Sequence, residues 1–474
     1  MTDTTALAAR RLARRRTLRA ASERHVNYML KKTEPGNEKA GFYREQVPGL
    51  TELANLGAEI RGGWWTGSRL FIAAGSGLYE VFSGWTSLLL GTMNTSTGLV
   101  DMAQGLLSLV VVDGPNGYVL TLADNTFARI TDADFYGSET VSFLDGKFQF
   151  VRPDTQQWYW SDGIDDAATY DALGFESAES APDDLVGHIV DHREIWLGGT
   201  KGFEVWFSAP SGDQVYARNN GATIEVGLAA AHTLKQVDNS VMWVGQDRNG
   251  QGIVWLAGGP AGYTPTRASS NELEDALALI DDLSEAYAWV YQDAGQTFYV
   301  LQVPGCSTSW VWDASTRKWH ERAEHVAGAL GLWRADVFVS AFGKKIVGDS
   351  DGKLYEIDPY EYTFDGDVIY REWTSPHAAV PSNNFVFFDA LSLDITAGET
   401  ASGADPQIEM RYSDDGGNNW GAWMARSTGQ LGEFDEHVKW VGLGRSRARV
   451  WQFRCTDDAK VSIINMAVKA KEAA

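Results

Sequence analysis

The chain has 474 residues, 44 % of them apolar, and a formal net charge of −23, enough length for one large domain or two to three ordinary ones. This acidic balance argues against direct, tight nucleic-acid binding, which normally needs a broad basic surface, although it also simply favours solubility. Two distant cysteines and the absence of a run of about 18 apolar residues exclude a disulfide framework, a cysteine-type zinc site and a membrane span.

Residues 1–24 form a basic N-terminal extension without the apolar region of a secretory signal. Seven Arg against two acids give this stretch a charge of +5, so the remainder carries −28. Alanine and leucine between the arginines predict a helix. We expect it to bind an acidic partner, or to face DNA or RNA, through Arg10, Arg11, Arg14, Arg15, Arg16 and Arg19. A partly ordered tail and an organelle transit peptide are the alternatives.

An N-terminal arm, residues 25–59, leads into residues 60–360, where short apolar strands alternate with turn signals such as Asp145-Gly146 and Asp351-Gly352. High aromatic and glycine contents also favour an all-β fold. The predicted strands include Leu70–Ala74, Leu106–Asp113, Tyr118–Leu122, Lys147–Val151, Glu194–Leu197, Phe203–Phe207, Val241–Val244, Ile253–Ala257, Phe298–Val303 and Trp310–Asp313.

A weak internal repeat runs through this region. Gly77–Val81 returns as Lys353–Ile357 and, more loosely, as Gly202–Trp206. Comparable strands recur near residues 79, 118, 148, 205, 255, 299 and 355, at the spacing of propeller blades. A β-propeller at 60–360 is therefore the favoured architecture, because ring closure protects sheet edges. Two stacked sandwiches are the alternative.

One segment, Ser270–Ala288, has the pattern of an inserted amphipathic helix. Ser270 is its predicted N-cap, and acidic residues fill the first turn. Leu273, Leu277 and Ile280 lie on one predicted face, which Ser284 extends.

The last segment, residues 361–474, predicts a separate β-sandwich. Asn383–Ile395 reads as a strand pair, and Gln407–Tyr412, Val438–Leu443, Ala448–Cys455 and Val461–Val468 read as further strands. Within Ala448–Cys455, Val450, Gln452 and Arg454 alternate with Trp451, Phe453 and Cys455, as expected for a strand with two different faces.

Ser413, Asp415, Gly417 and Trp420 match the Asp-box spacing S-x-D-x-G-x-x-W. This hairpin occurs in sialidases and other propellers, where the carboxylate holds the turn and the indole packs between strands. A sialidase needs several copies and an arginine cluster for its substrate. We find one copy, so we interpret it as a structural hairpin.

No residue pattern predicts a catalytic, cofactor or metal site. His188 and His192 have the spacing of a helical metal pair but precede a strand, so we expect a turn there. His320 and His325 read as a solvated turn, and the pairs Asp165-Asp166, Asp183-Asp184, Asp281-Asp282 and Asp414-Asp415 as solvated faces. Nucleotide-binding and hydrolase motifs are absent from the sequence.

From Val26 onward the chain resembles the packaged DNA stabilization, or tail-hub (nozzle), family of Salmonella-type short-tailed phages. The similarity lies in the order and spacing of motifs rather than in any one of them. They are Val26–Leu30, Gly41-Phe42, Val47–Thr51, Leu185–Gly187, Arg193–Leu197, Gly202–Phe207, Asp238–Ser240, Gly250–Trp255, the Ser270–Ala288 helix, the Ser413–Trp420 hairpin, Lys439-Trp440 and Gly442–Arg445. The extension 1–24 departs from this pattern.

The resemblance implies a structural virion protein without catalytic residues or cofactors. Family hubs form a homo-hexameric tube below the portal and its adaptor, continue the DNA channel, retain packaged DNA, and attach spikes or fibres and a needle or plug. Double-stranded DNA would pass the acidic wall without specific binding. The implied location is the virion tail, after assembly in the host bacterial cytoplasm. A glycan-binding or glycan-cleaving propeller is the alternative, suggested by the single Asp-box and the many tryptophans.

Overall fold

The computed structural model describes residues 23–33, 41–179, 183–209, 214–246, 250–259, 262–379 and 384–472. In these ranges the chain is mostly β-structure, which confirms the predicted all-β class. Four strands come first: β1 (Arg24–Val26), β2 (Tyr28–Lys32), β3 (Phe42–Gln46) and β4 (Gly49–Asn55).

Twenty strands follow in five groups of four. They are β5 (Ile60–Trp65), β6 (Leu70–Ala74), β7 (Gly77–Val81), β8 (Ser87–Thr92), β9 (Asp101–Gln104), β10 (Ser108–Val112), β11 (Gly117–Thr121), β12 (Phe127–Arg129), β13 (Val141–Leu144), β14 (Lys147–Val151), β15 (Gln157–Ser161), β16 (Tyr170–Ser177), β17 (Leu185–Asp191), β18 (Glu194–Gly199), β19 (Phe203–Ser208), β20 (Tyr216–Ile224), β21 (Lys235–Val237), β22 (Ser240–Gln246), β23 (Gly252–Ala257) and β24 (Thr266–Arg267). A 3-10 helix, Ala231–Thr233, precedes β21.

The helix α1 (Asn271–Leu277) separates these groups from the remaining strands. Those strands are β25 (Tyr287–Asp293), β26 (Gln296–Gln302), β27 (Ser309–Asp313), β28 (Lys318–Arg322), β29 (Glu324–Val326), β30 (Ala329–Gly331), β31 (Val337–Ala341), β32 (Lys344–Gly348), β33 (Lys353–Asp358), β34 (Thr363–Phe364), β35 (Asp367–Val368), β36 (Arg371–Thr374), β37 (Ala378–Ala379), β38 (Val386–Thr396), β39 (Gln407–Ser413), β40 (Met424–Ser427), β41 (Asp435–Val441), β42 (Arg445–Ser446), β43 (Ala448–Cys455) and β44 (Ser462–Glu472).

Backbone contacts divide the chain into two compact units. The propeller unit comprises Glu52–Cys306 and Arg334–Ile357, and the sandwich unit comprises residues up to Thr51 together with Ser307–Trp333 and Asp358–Ala474. The sequence boundaries at 25–59, 60–360 and 361–474 stay predictions. In the structure the first strands of the chain group with the C-terminal strands, because hydrogen bonds join segments that are far apart in sequence.

The propeller unit contains five four-stranded antiparallel sheets, β5–β8, β9–β12, β13–β16, β17–β20 and β21–β24. The hairpin β25–β26 and the sheet β31–β33 follow them. β4 lies beside β33, and its Glu52 is 2.6 Å from Lys353 Nζ. The last sheet of the propeller unit therefore includes β4, which precedes the first four-stranded sheet in the sequence.

The first strands of these sheets form a closed ring. β5 contacts β9, β9 contacts β13, and β13 contacts β17. The 3-10 helix contacts β17 and β25, β21 also contacts β25, β25 contacts β31, and β31 returns to β5. Within the described residues this is a ring of seven inner strands, which excludes two stacked sandwiches here. Closure protects the inner strands from pairing with other chains.

Separate apolar layers hold neighbouring blades together. The layer between the first two blades includes Phe71 and Leu109, for example. The layer that closes the ring joins Ile60 and Leu70 of the first blade to Ile346 and Leu354 of the last. Each layer removes large apolar side chains from water, and each fully buried side chain stabilises the fold by about 1.5–3 kcal/mol.

The sequence repeat corresponds to equivalent strands. Gly77–Val81, Gly202–Trp206 and Lys353–Ile357 all fall on the third strand of a sheet, β7, β19 and β33. Two of the predicted repeat positions, near residues 148 and 299, do not fall on a third strand. They lie on the second strands β14 and β26. Second and third strands are similarly buried, so composition alone does not distinguish them.

The inserted helix is present but shorter than Ser270–Ala288, since α1 ends at Leu277. Ser270 caps it as predicted, by accepting the N–H of Leu273. Beyond Leu277 the Asp282 carboxylate accepts the N–H of Ser284, a local turn that competes with helix. No helix in the described ranges has the length and hydrophobicity that a membrane span requires.

The sandwich unit has two principal sheets. One runs β27-β28-β1-β36-β43-β39-β40, and the other runs β2-β3-β44-β38-β41. Its core includes Tyr28, Trp373, Leu391, Trp440 and Phe453.

Two predictions about this unit have different outcomes. The predicted strand pair at Asn383–Ile395 is wrong, because β38 is one uninterrupted strand that pairs with β41 and β44. The predicted alternation in β43 is confirmed, since Trp451, Phe453 and Cys455 all point into the core. Neither Cys455 nor Cys306 takes part in a disulfide within the described residues.

Candidate functional site

The predicted partner-binding arginines lie outside the described residues: Arg10, Arg11, Arg14, Arg15, Arg16 and Arg19. Their helix and their contacts stay predictions. Arg24, the last arginine of the run, is described. Its Nε and Nη2 donate to the Glu321 carboxylate, both at 2.7 Å, and Glu372 lies 3.5 Å away.

The Asp-box residues occupy the turn between β39 and β40. Ser413 Oγ donates to Asp415 Oδ1 at 2.7 Å and accepts the N–H of Gly417 at 2.8 Å. Asp415 Oδ1 also accepts the backbone N–H groups of Asn418 and Asn419, each at 2.9 Å. The bond from Asn419 is the main cause that holds the pKa of Asp415 at about 2, below its ordinary value.

Trp420 lies against Gly417, where an added Cβ would sit 3.5 Å from the indole. Gly417 has a φ of +93°, which disfavours any other residue. The carboxylate thus binds backbone within its own turn, an arrangement that supports our structural interpretation of the motif.

Beyond this turn, guanidinium groups and indoles stack alternately. Arg411 lies 4.8 Å from the Trp420 ring and 4.3 Å from the Trp423 ring, and Arg454 lies 4.1 Å from Trp423. Each contact is a cation–π interaction. The two indoles are therefore already engaged by side chains of the same unit.

The same face of the sheet carries a row of alternating charges across neighbouring strands. Glu372 is the register partner of Arg454, and Arg454 is that of Glu409, to which it donates a hydrogen bond. With Arg24 between Glu321 and Glu372, the row spans five strands. Cross-strand pairs of opposite charge stabilise a sheet by a few tenths to about 1 kcal/mol each.

A third surface was not predicted as a site. The guanidinium groups of Arg445 and Arg447 lie 4.8 and 4.7 Å from the ring of Phe385. Both arginines are exposed, and Phe387 beside them is 43 % exposed. The spacing of Arg445 and Arg447 was the available sequence signal, since alternate residues of an extended segment share a face.

Histidines of the propeller unit do not form a metal site. His188 is buried in β17, where Thr140 Oγ1 lies 2.8 Å from Nδ1 and Ser142 Oγ 2.8 Å from Nε2. Burial lowers the pKa of His188 to about 3, so the ring is neutral. His192 lies at the β17–β18 turn, with a φ of +48°. No group of metal-ligating side chains occurs in the described part of the chain.

The predicted solvated turn at His320 and His325 is wrong for His320, whereas His325 is exposed in the hairpin of β29 and β30. His320, Glu321 and Arg322 are buried in β28, and burial lowers the pKa of His320 well below its ordinary value. Polar residues in this stretch suggested solvent exposure, but the carboxylate of Glu321 is buried beside hydrogen-bond donors from other segments of the chain. Arg24 and Thr308 both donate to Glu321.

Each of the four predicted solvated acidic pairs contains a carboxylate that accepts a hydrogen bond, and Asp165 and Asp414 accept theirs from distant segments. Asp165 accepts the N–H groups of Leu106 and Leu107, at 2.9 and 2.6 Å. Asp414 accepts two hydrogen bonds from the buried Arg449. These carboxylates therefore hold loops in place, which the residue pattern did not indicate.

Comparison with known proteins identifies the two parts of the chain separately. The family model "Bacteriophage P22 Gp10, beta-propeller" matches residues 21–361, and the model "Bacteriophage P22 Gp10, beta-sandwich" matches residues 372–471. A sequence search of curated proteins finds no match.

Solved structures with similar folds are distant. The N-terminal domain of Nup159 is 10 % identical with a TM-score of 0.39, covering 71 % of this chain and 99 % of its own. The Neurospora crassa Pan2 WD40 domain is 8 % identical with a TM-score of 0.41, covering 66 % and 95 %. The computationally designed Ika8 protein is 12 % identical with a TM-score of 0.36, covering 65 % and 99 %.

The matches to the two Gp10 models follow the chain in order and agree with its propeller blades and sandwich sheets. The resemblance drawn from the sequence motifs is thereby confirmed. The chain belongs to the bacteriophage P22 Gp10 family of structural phage-tail proteins, which stabilise packaged DNA.

Proposed function

We propose that this protein is the tail hub, or nozzle, of a short-tailed phage. In this role a homo-hexamer lies below the portal and its adaptor ring, extends the DNA channel and retains packaged DNA. Spikes or fibres and a needle or plug attach to it. The observation that carries the proposal is the consecutive match of both Gp10 models along one chain.

The charge of the chain supports a passive role towards DNA. With a net charge of −23, the protein repels a phosphate backbone at long range. Such a wall would let DNA slide past during ejection without specific binding. The basic extension 1–24 is the exception, and we propose that it binds an acidic surface of the adaptor.

Electron microscopy of virions with a label on this chain tests the proposal. We expect six copies in a ring at the tail, between the adaptor and the distal tip. Particles that lack the protein should package DNA and then lose it. Absence of the chain from virions, or full DNA retention without it, would contradict the proposal.

Deleting residues 1–22 tests the extension separately. Binding to the purified portal–adaptor complex should weaken, and the loss should be greatest at low ionic strength. Unchanged binding at every salt concentration would count against an adaptor contact.

The glycan alternative has less support from the geometry. A sugar-binding platform needs an accessible indole face, whereas Arg411 and Arg454 stack on Trp420 and Trp423. Glycan-array binding, or turnover of a host polysaccharide that a single carboxylate substitution abolishes, would favour it over the structural role.

A further inference from the structure

A basic, aromatic surface lies at the start of β38. We call Phe385, Phe387, Arg445, Arg447 and Lys471 the basic platform. Register pairs place Phe387 opposite both Arg445 and Lys471, and both guanidinium groups lie over Phe385. Phe385 is 37 % exposed, so the platform combines apolar area with positive charge at the surface.

The two arginines of the platform form no ion pair with any described residue. Lys471 is 3.7 Å from Asp389. Stacking on an aromatic ring leaves the N–H edge of a guanidinium available to a carboxylate. The two guanidinium groups are therefore available to an anionic partner, and the chain itself supplies anionic groups, with 63 acidic against 40 basic residues.

Backbone bonds hold the platform in place. The N–H of Phe388 donates to Gly444 O at 2.9 Å, and the N–H of Gly442 donates to Asp389 O at 3.0 Å. Ser446 Oγ closes the turn by donating to Ala448 O. A preformed surface loses little conformational entropy when it binds a partner.

An acidic surface with the complementary composition lies elsewhere in the same unit. We call residues 358–368 the acidic hairpin, because they include Asp358, Glu361, Asp365 and Asp367 and no Lys or Arg. Tyr360 is 81 % exposed and Val368 is 49 % exposed. Like the platform, the hairpin offers both charge and apolar contact area.

The acidic hairpin is also held in place. β34 and β35 pair across the tip Asp365-Gly366, where both residues have positive φ, 54° and 86°. The N–H of Asp365 donates to Leu50 O at 2.8 Å, and Phe364 is buried beneath. The hairpin is thus a second preformed surface.

The two surfaces lie at opposite ends of one strand. Phe387 is near the beginning of β38, which ends at Thr396. Tyr362, within the hairpin, donates to Glu399, three residues beyond that end. Over the 11 residues of β38 the separation is roughly 30 Å, so the surfaces do not neutralise each other within one copy.

We propose that the basic platform of one copy binds the acidic hairpin of the next copy. The contact is head-to-tail, because each copy contributes a different surface to its two neighbours. Contacts of this kind generate closed rings when their rotation closes. The inference rests on the proposed function in that it names the contact between neighbouring subunits of the homo-oligomer.

Substitutions that change the charge of each surface, made in the full-length chain, test this contact. The platform variant is Arg445→Glu with Arg447→Glu, and the hairpin variant is Asp365→Asn with Asp367→Lys. Asparagine is chosen at 365 because it tolerates the positive φ of this position. Sedimentation velocity over a concentration series should show self-association of the wild type, weakened at least about tenfold in each variant.

A combined variant provides the decisive result. This variant carries the platform and the hairpin substitutions together. It should associate more strongly than either variant alone, because opposite charges again face each other. The control Arg129→Glu with Arg193→Glu changes the net charge equally at exposed positions of the propeller unit and should associate like the wild type. Unchanged thermal unfolding verifies the fold of each variant.

Platform and hairpin variants that associate normally would overturn the inference, as would a wild type that stays monomeric at all concentrations. Neither result bears on the location of the protein in the virion, which electron microscopy of labelled virions determines independently. Loss of the chain from virions would instead remove the proposed function, whatever the sedimentation shows.

Discussion

The guanidinium of Arg449 is buried and forms a two-pronged ion pair with Asp414. Arg449 Nε and Nη2 donate to the two carboxylate oxygens at 2.5 and 2.9 Å, and Nη1 donates to Leu443 O at 2.6 Å. The same guanidinium lies 3.9 Å from the Tyr412 ring. One acidic side chain next to the Asp-box turn therefore neutralises a cation inside the sandwich unit.

We expect Asp414→Ala to destabilise the sandwich unit by about 3 kcal/mol, because it leaves a buried guanidinium without its counter-ion. Chemical denaturation monitored by tryptophan fluorescence measures the change. Asp281→Ala, at an exposed acid of a similar pair, is the control and should change stability by less than about 0.5 kcal/mol. Equal effects of the two substitutions would contradict the structural role of Asp414.

Asp415→Asn should lower the free energy of unfolding by about 1 kcal/mol near pH 5, because it removes charge-assisted hydrogen bonds. The loss is small because solvent around this exposed turn weakens those bonds. The pKa of Asp415 is lowered from 3.8 to about 2 in the fold. Its stabilisation is therefore complete above about pH 4 and disappears as pH falls towards 2. The difference between the unfolding midpoints of the two proteins should shrink as pH is lowered from 5 to 2. A constant difference would exclude the carboxylate charge as the cause.

His188→Gln should reduce the pH dependence of propeller stability. The folded-state pKa of His188, about 3, lies below the ordinary 6.5, so the unfolded chain binds the extra proton first. Stability from this group is complete above pH 6.5 and falls between pH 6.5 and 3, by up to about 1.4 kcal/mol per pH unit. Urea unfolding at pH 7, 6 and 5 should show a smaller slope for the variant. An unchanged slope would show that His188 is not neutral in the fold.

Asn27→Asp should destabilise the sandwich unit by about 3 kcal/mol. Asn27 Nδ2 donates to the carbonyls of Ala323 and Tyr370, both at 2.8 Å, and a carboxylate cannot replace these donors. The exposed Asn94→Asp is the matched control. Thermal unfolding should separate the two variants by several degrees, and similar midpoints would argue against a role for this side chain.

Local patterns in the sequence were sufficient for much of the fold. Strands such as Leu70–Ala74 and Lys147–Val151 match the predicted bounds, because apolar runs between turn residues have few other structures. Ser270 was identifiable as a helix cap for the same local reason. The end of that helix was not identifiable. The turn in which Asp282 accepts the N–H of Ser284 leaves only a weak signal in the residue pattern.

Side-chain partners distant in sequence explain the failures at the candidate sites. His320 and Glu321 are buried because Arg24, about 300 positions earlier, reaches the Glu321 carboxylate. Asp414 has the appearance of a solvated acid until Arg449 is placed beside it. Local composition contains no information about such pairs, since each partner alone is an ordinary surface residue.

The sequence by itself determined the β class, the repeated blades, the Asp-box turn and the family resemblance, all of which depend on short-range patterns. Only the tertiary structure decided that seven inner strands close into a ring and that the first strands of the chain join the C-terminal sheets. It also placed the basic platform and the acidic hairpin at opposite ends of β38. These relations arise from backbone pairing and charge contacts between distant segments, which a linear pattern does not record.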